Sequence, residues 1–113
     1  MINEITSNEI REYLKNHPKC VLLDVRTQHE WDQFGKPDGE KLGLKTYFLT
    51  IHDENFIIDF KKLLISKDFE ILSICKSGDR SRFVSELLAK ENYKSSNISD
   101  GFDGWESCNL PRL

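Results

Sequence analysis

Long apolar runs are missing from this chain, and none approaches the roughly 20 residues a helix needs to cross a bilayer. Cysteine is scarce as well. Cys20, Cys75 and Cys108 form an odd, widely spaced set, which excludes a disulfide framework as the organising device. The opening residues, Met1-Ile2-Asn3-Glu4-Ile5, carry neither a basic stretch nor an apolar segment and do not read as a secretory signal. These absences predict free thiols in a reducing cytoplasm and no membrane partner. Basic blocks are lacking too. The net charge is −3 with both signs interspersed, which argues against a nucleic-acid surface. His17, His29 and His52 have no His or Cys at ligand spacing, so no metal is expected.

What remains is 113 residues without repeats, long enough for one core; a single domain over 1–113 is expected. Thr6 and Glu9 form a capping box that opens a helix to Asn16, which Pro18 stops. A short strand over 2–5 precedes it. Cys20-Val21-Leu22-Leu23-Asp24-Val25-Arg26 is apolar without alternation until its end, as a strand buried on both faces of a parallel sheet should be. Asp24 and Arg26 share a face at its C-terminal end, where open α/β sheets place functional groups. They either pair or serve different partners, and a structural network is the preferred reading. A second capping box, Thr27 with Glu30, opens a helix through Trp31 and Phe34.

Gly35 to Gly43 reads as a loop, followed by a strand over 46–50. Asp53-Glu54-Asn55 begins a helix whose apolar face is Phe56, Ile57, Phe60, Leu63 and Leu64. Phe69 to Ile74 is strand-like, Ser81 to Lys90 is helical with Phe83, Val84, Leu87 and Leu88 inward, and Ser95 to Ile98 is a last strand. Asp100-Gly101-Phe102-Asp103-Gly104-Trp105 reads as turns around two core aromatics. Strands that alternate with helices predict an α/β sheet covered on both faces.

The stretch that carries chemistry is Cys75-Lys76-Ser77-Gly78-Asp79-Arg80-Ser81, between a buried strand and a helix. A cysteine attacks only as thiolate, and a free thiol titrates near about 8.5. The helix N-terminus, a glycine that turns successive N–H groups inward, and the charges of Lys76 and Arg80 all favour an anion here. Asp79 opposes it. A six-residue ring from Cys75 to Arg80 is tight for a phosphate ester, and Ser81 stands where a phosphatase would place its arginine. The loop suits one extra sulfur on Cys75. Cys20, within a core strand, reads as inert. For Cys108 to resolve a disulfide on Cys75 would need a Cα spacing that sequence does not show.

Leu23-Asp24-Val25-Arg26 with Glu30-Trp31, the Cys75 loop about fifty residues on, and the close Gly101-Phe102-Asp103-Gly104-Trp105 together make the chain resemble a single-domain rhodanese (thiosulfate sulfurtransferase-like) module. The resemblance implies the rhodanese-like α/β fold, with a central parallel five-stranded sheet and helices on both faces. It implies sulfurtransferase chemistry: a sulfane sulfur moves from a donor such as thiosulfate to a thiophilic acceptor, a thiol, cyanide or protein thiol, through a persulfide on Cys75. Loops one residue longer go with phosphatases and arsenate reductases, which are disfavoured here; a non-catalytic rhodanese-like interaction module is the alternative. On this reading Cys75 is catalytic, and Lys76, Ser77, Gly78, Asp79, Arg80 and Ser81 form the anion-binding loop. Asp24, Arg26 and Glu30 support it, and no cofactor is implied. Arg80 either holds an anionic donor or locks the loop on Glu30 or Asp24. The chain departs from the family at Phe34-Gly35-Lys36-Pro37-Asp38-Gly39-Glu40-Lys41-Leu42-Gly43, where the relatives often carry Gly-His-Ile-Pro-Gly-Ala.

Overall fold

A computed structural model describes residues 2–51 and 54–113. Five strands, β1 (Asn3–Ile5), β2 (Cys20–Asp24), β3 (Lys45–Phe48), β4 (Glu70–Ile74) and β5 (Lys94–Ile98), form one parallel sheet in the order β1-β5-β4-β2-β3. Helices α1 (Ile10–Asn16), α2 (Gln28–Phe34), α3 (Phe56–Lys61), α4 (Asp79–Lys90) and α5 (Gly101–Ser107) connect and cover it.

The apolar run Cys20–Leu23 of β2, and that of β4 interrupted by Ser73, have a common cause. Successive residues of a strand face opposite ways, and both faces here are covered. Cys20, Leu22, Leu72 and Ile74 pack with Ile10, Phe102 and Trp105 on one face. Val21, Leu23, Ile71 and Cys75 pack with Phe56, Phe60, Val84 and Leu88 on the other. Cys75 directly follows β4 at the C-terminal edge of the sheet, beside the switch in strand order between β2 and β4.

Several expectations need correction. The segment read as closing turns is a helix, α5, with Phe102 and Trp105 fully buried as its core-facing pair. Helix α4 begins at Asp79, two residues before Ser81, so Asp79 and Arg80 belong to its first turn. Phe83, expected to face inward, is 58% exposed. Leu64 was placed on the α3 face, yet that helix ends at Lys61; Leu64 sits at φ 56° with its side chain in solvent. The helix start at Asp53, and His52, lie outside the described residues.

The two capping boxes are where expected. Glu9 accepts from the Thr6 N–H at 2.9 Å, and a short 3-10 turn, Ser7–Glu9, leads into α1. Thr27 Oγ1 accepts from the Glu30 N–H at 3.2 Å while Glu30 Oε1 accepts from the Thr27 N–H at 3.1 Å. Among the described residues no helix is long and apolar enough to cross a membrane.

Candidate active site around Cys75

The loop after β4 is held by its carbonyls. Cys75 O accepts from the Phe102 N–H at 2.8 Å and Lys76 O from the Asp103 N–H at 3.1 Å, both in the first turn of α5. That contact is close enough to demand glycine at 101. With φ at 60°, a Cβ there would lie 2.4 Å from Lys76 O and 2.7 Å from Cys75 O. The loop then turns at Gly78, with φ at 108°, where a Cβ would meet Ser99 O at 2.1 Å. L-residues pay a steric penalty in this region, which glycine avoids. The turn carries the Gly78 N–H to Cys75 Sγ at 3.1 Å. Of the expected backbone cradle, this is the N–H that reaches the sulfur.

Cys75 itself is only 1% exposed. Ser81, fully buried one turn into α4, places Oγ 3.3 Å from the sulfur. Ser77 lies exposed at the outer edge of the loop. Asp79, whose direction the sequence left open, turns its side chain to solvent at 90% exposure and lies 3.6 Å from Arg82. Its charge sits at a helix N-terminus, where it is favourable, and in water rather than against the thiol.

The loop cations are engaged. Arg80 binds Glu30 through two parallel bonds, Nη1–Oε1 and Nη2–Oε2, each 2.7 Å. Of the two carboxylates considered for Arg80, Glu30 is the one it meets. The Arg80 guanidinium holds the Glu30 carboxyl down to about 2, helped by the Thr27 N–H and opposed by burial. Glu30 in turn raises the titration of Arg80, and the charges of Cys75 and Asp24 act in the same direction. Lys76 reaches away from the sulfur, pairing with Asp103 and lying 4.5 Å over the Phe34 ring.

Asp24, the other carboxylate considered for Arg80, pairs with Arg26 instead. Both side chains are fully buried, with Nη2–Oδ2 at 2.8 Å. The same Nη2 donates to Gly35 O at 2.9 Å, and the guanidinium lies 4.2 Å over the Phe102 ring. One buried ion pair therefore joins β2, the loop at Gly35 and α5.

Sequence reasoning missed Asn97. It is fully buried in β5, donates to Gly78 O at 3.0 Å and accepts from Ser81 Oγ at 2.5 Å. A signal was present: Ser95-Ser96-Asn97 is a polar run in a strand that should be apolar, and buried polar groups need partners. Cys20 is buried, donates to His17 O at 3.2 Å, and has its thiol pushed up to about 12 by burial and by Glu70, so it stays protonated. Cys108 follows the last residue of α5, whose first turn holds the Cys75 loop. Cys75 is buried and Cys108 exposed, and both are free.

Comparison with known proteins bears on the family and the fold. The family described as Rhodanese-like domain matches residues 6–108. A protein of Rickettsia prowazekii (strain Madrid E), named only as uncharacterized, is 35% identical over 98% of this chain and 97% of its own length. A protein of Allochromatium vinosum named "Sulfurtransferase" is 28% identical over 98% of this chain and 94% of its own. The crystal structure of Rv0390 from M. tuberculosis superposes with a TM-score of 0.82 at 26% identity, covering 98% of this chain and 96% of that one.

Proposed function

The chain belongs to the rhodanese-like domain family, and on that premise we infer that it is a sulfurtransferase which carries a sulfane sulfur as a persulfide on Cys75. The observation that carries this reading is the six-residue ring from Cys75 to Arg80, closed by the Gly78 N–H on the sulfur at 3.1 Å.

The Cys75 thiolate attacks the outer sulfur of a donor. A new S–S bond forms to Sγ, the donor's own bond to that sulfur breaks, and the electron pair leaves with the donor as sulfite from thiosulfate or as a thiolate from an organic persulfide. A thiolate or cyanide acceptor then attacks the outer sulfur, and the pair returns to Cys75. Through both steps the sulfur is anionic. A preorganised N–H and the first turn of α4 stabilise that charge without reorganising. The Glu30–Arg80 pair fixes the first turn of α4 against α2 and so holds the ring open at one size. Free thiols on all three cysteines suit a cytoplasmic protein.

Incubation with thiosulfate or glutathione persulfide, followed by mass spectrometry of the intact protein, should add one sulfur, lost on Cys75→Ser. A folded protein that accepts sulfur from no sulfane donor overturns the reading. One observation favours a non-catalytic interaction module instead: the 1% exposure of Cys75. If Cys75→Ser leaves the cellular role intact, that module is the function.

A further inference from the structure

A line of polar side chains from different elements runs from the surface to the thiol. Arg82 of α4 pairs with Glu4 of β1, Nε–Oε2 at 2.9 Å. The other oxygen of Glu4 accepts from Asn97 Nδ2 at 2.8 Å, and the same Nδ2 donates to Gly78 O at 3.0 Å. Both acceptors take only donors, so the amide of Asn97 has one consistent orientation, with Oδ1 facing Ser81. Ser81 Oγ donates to that oxygen at 2.5 Å. A hydroxyl has one proton. The same Oγ lies within donor reach of Cys75 Sγ and of Gly78 O, each at 3.3 Å; with the proton on the much shorter contact to Asn97, a lone pair rather than the O–H faces the sulfur. A lone pair suits an S–H and repels a thiolate.

We propose that Asn97 is a positioning residue which keeps the Ser81 hydroxyl turned away from the Cys75 sulfur, so that an anion on that sulfur gains this hydrogen bond only once the hydroxyl rotates. For a thiolate, or a persulfide whose anionic sulfur occupies the ring, that rotation runs from Asn97 Oδ1 to sulfur. Asn97 and Ser81 are both fully buried, so the rotation leaves Oδ1 without its partner, and leaving a buried acceptor bare is unfavourable. The other charges around the sulfur stand as pairs: Arg80 with Glu30, Asp24 with Arg26, Lys76 with Asp103. Asp79 faces solvent. None of these changes when one hydroxyl turns. The bearing of this switch on sulfur loading rests on the sulfurtransferase reading; the hydrogen-bond choice does not.

The test is the rate of iodoacetamide alkylation against pH, read on the Cys75 peptide by mass spectrometry. It is run on the native protein, Asn97→Leu, Ser81→Ala and the double variant, with circular dichroism to confirm folding. Asn97→Leu should move the midpoint down by about one pH unit, a tenfold gain in reactive thiolate below it. The shift should vanish in the Ser81→Ala background, which a merely structural role of Asn97 would not produce. No shift, or an equal shift without Ser81, overturns the proposal. Asn97→Ala, which adds no apolar bulk, serves where Asn97→Leu does not fold. A shift seen in a protein that takes up no sulfur would sink the sulfurtransferase reading and leave this inference standing.

Discussion

At Gly78 two demands meet in one residue: φ at 108° and a Ser99 carbonyl 2.1 Å from where a Cβ would be. The first demand is legible in Lys76-Ser77-Gly78-Asp79, a turn-prone run before a helix. The second is not, because Ser99 arrives from another strand end. Gly78→Ala should cost about 2–4 kcal/mol in urea denaturation, since both backbone strain and a clash with main chain must be relieved. It should also cut persulfide loading at least about tenfold by moving the N–H off the sulfur. Loading that survives unchanged would mean the Gly78 N–H is not what stabilises the anion.

Between elements, the Arg80–Glu30 pair ties α4 to α2, and the Thr27 capping box sets where Glu30 can point. Because the folded Glu30 carboxyl titrates at about 2, below its ordinary 4.5, its stabilisation is full above about 4.5 and is lost as pH falls toward 2. Glu30→Gln should therefore be less stable than the native protein at pH 7, by about 1–2 kcal/mol. The gap should close on acidification through that window, as followed by urea melts at successive pH values. Thr27→Ala should cost about 1 kcal/mol through the lost cap. Helix α5 shows what sequence patterns conceal. Gly101 and Gly104 lower its helix propensity, which favours a reading as turns. Phe102 and Trp105, three apart on one buried face, supply the packing that overrides it.

On the scale of the whole molecule, the Asp24–Arg26 pair sits where β2, the Gly35 loop and α5 converge, with neither side chain exposed. Removing one partner leaves a bare buried charge. Asp24→Ala should destabilise the protein by about 3–5 kcal/mol in equilibrium denaturation, with far-UV and near-UV circular dichroism lost together. A loss under about 1 kcal/mol would mean that Arg26 finds another partner and the pair is not a keystone. Apart from α5, the succession of strands and helices along the chain, the buried character of β2 and β4, and the place of the Cys75 loop were determined by sequence alone. They rest on periodicity, caps and turn residues, which act over a few positions. Which charge meets which was decided only by the tertiary structure. Arg80 finds Glu30 across 50 positions, Lys76 finds Asp103 across 27, and Asn97 finds Glu4 across 93. Local propensity says nothing about contacts at that separation. Side chains that compete for a few donors and acceptors are paired by the packing that brings them together, and at Cys75 that packing turned two expected anion-holding cations into the braces of a buried sulfur.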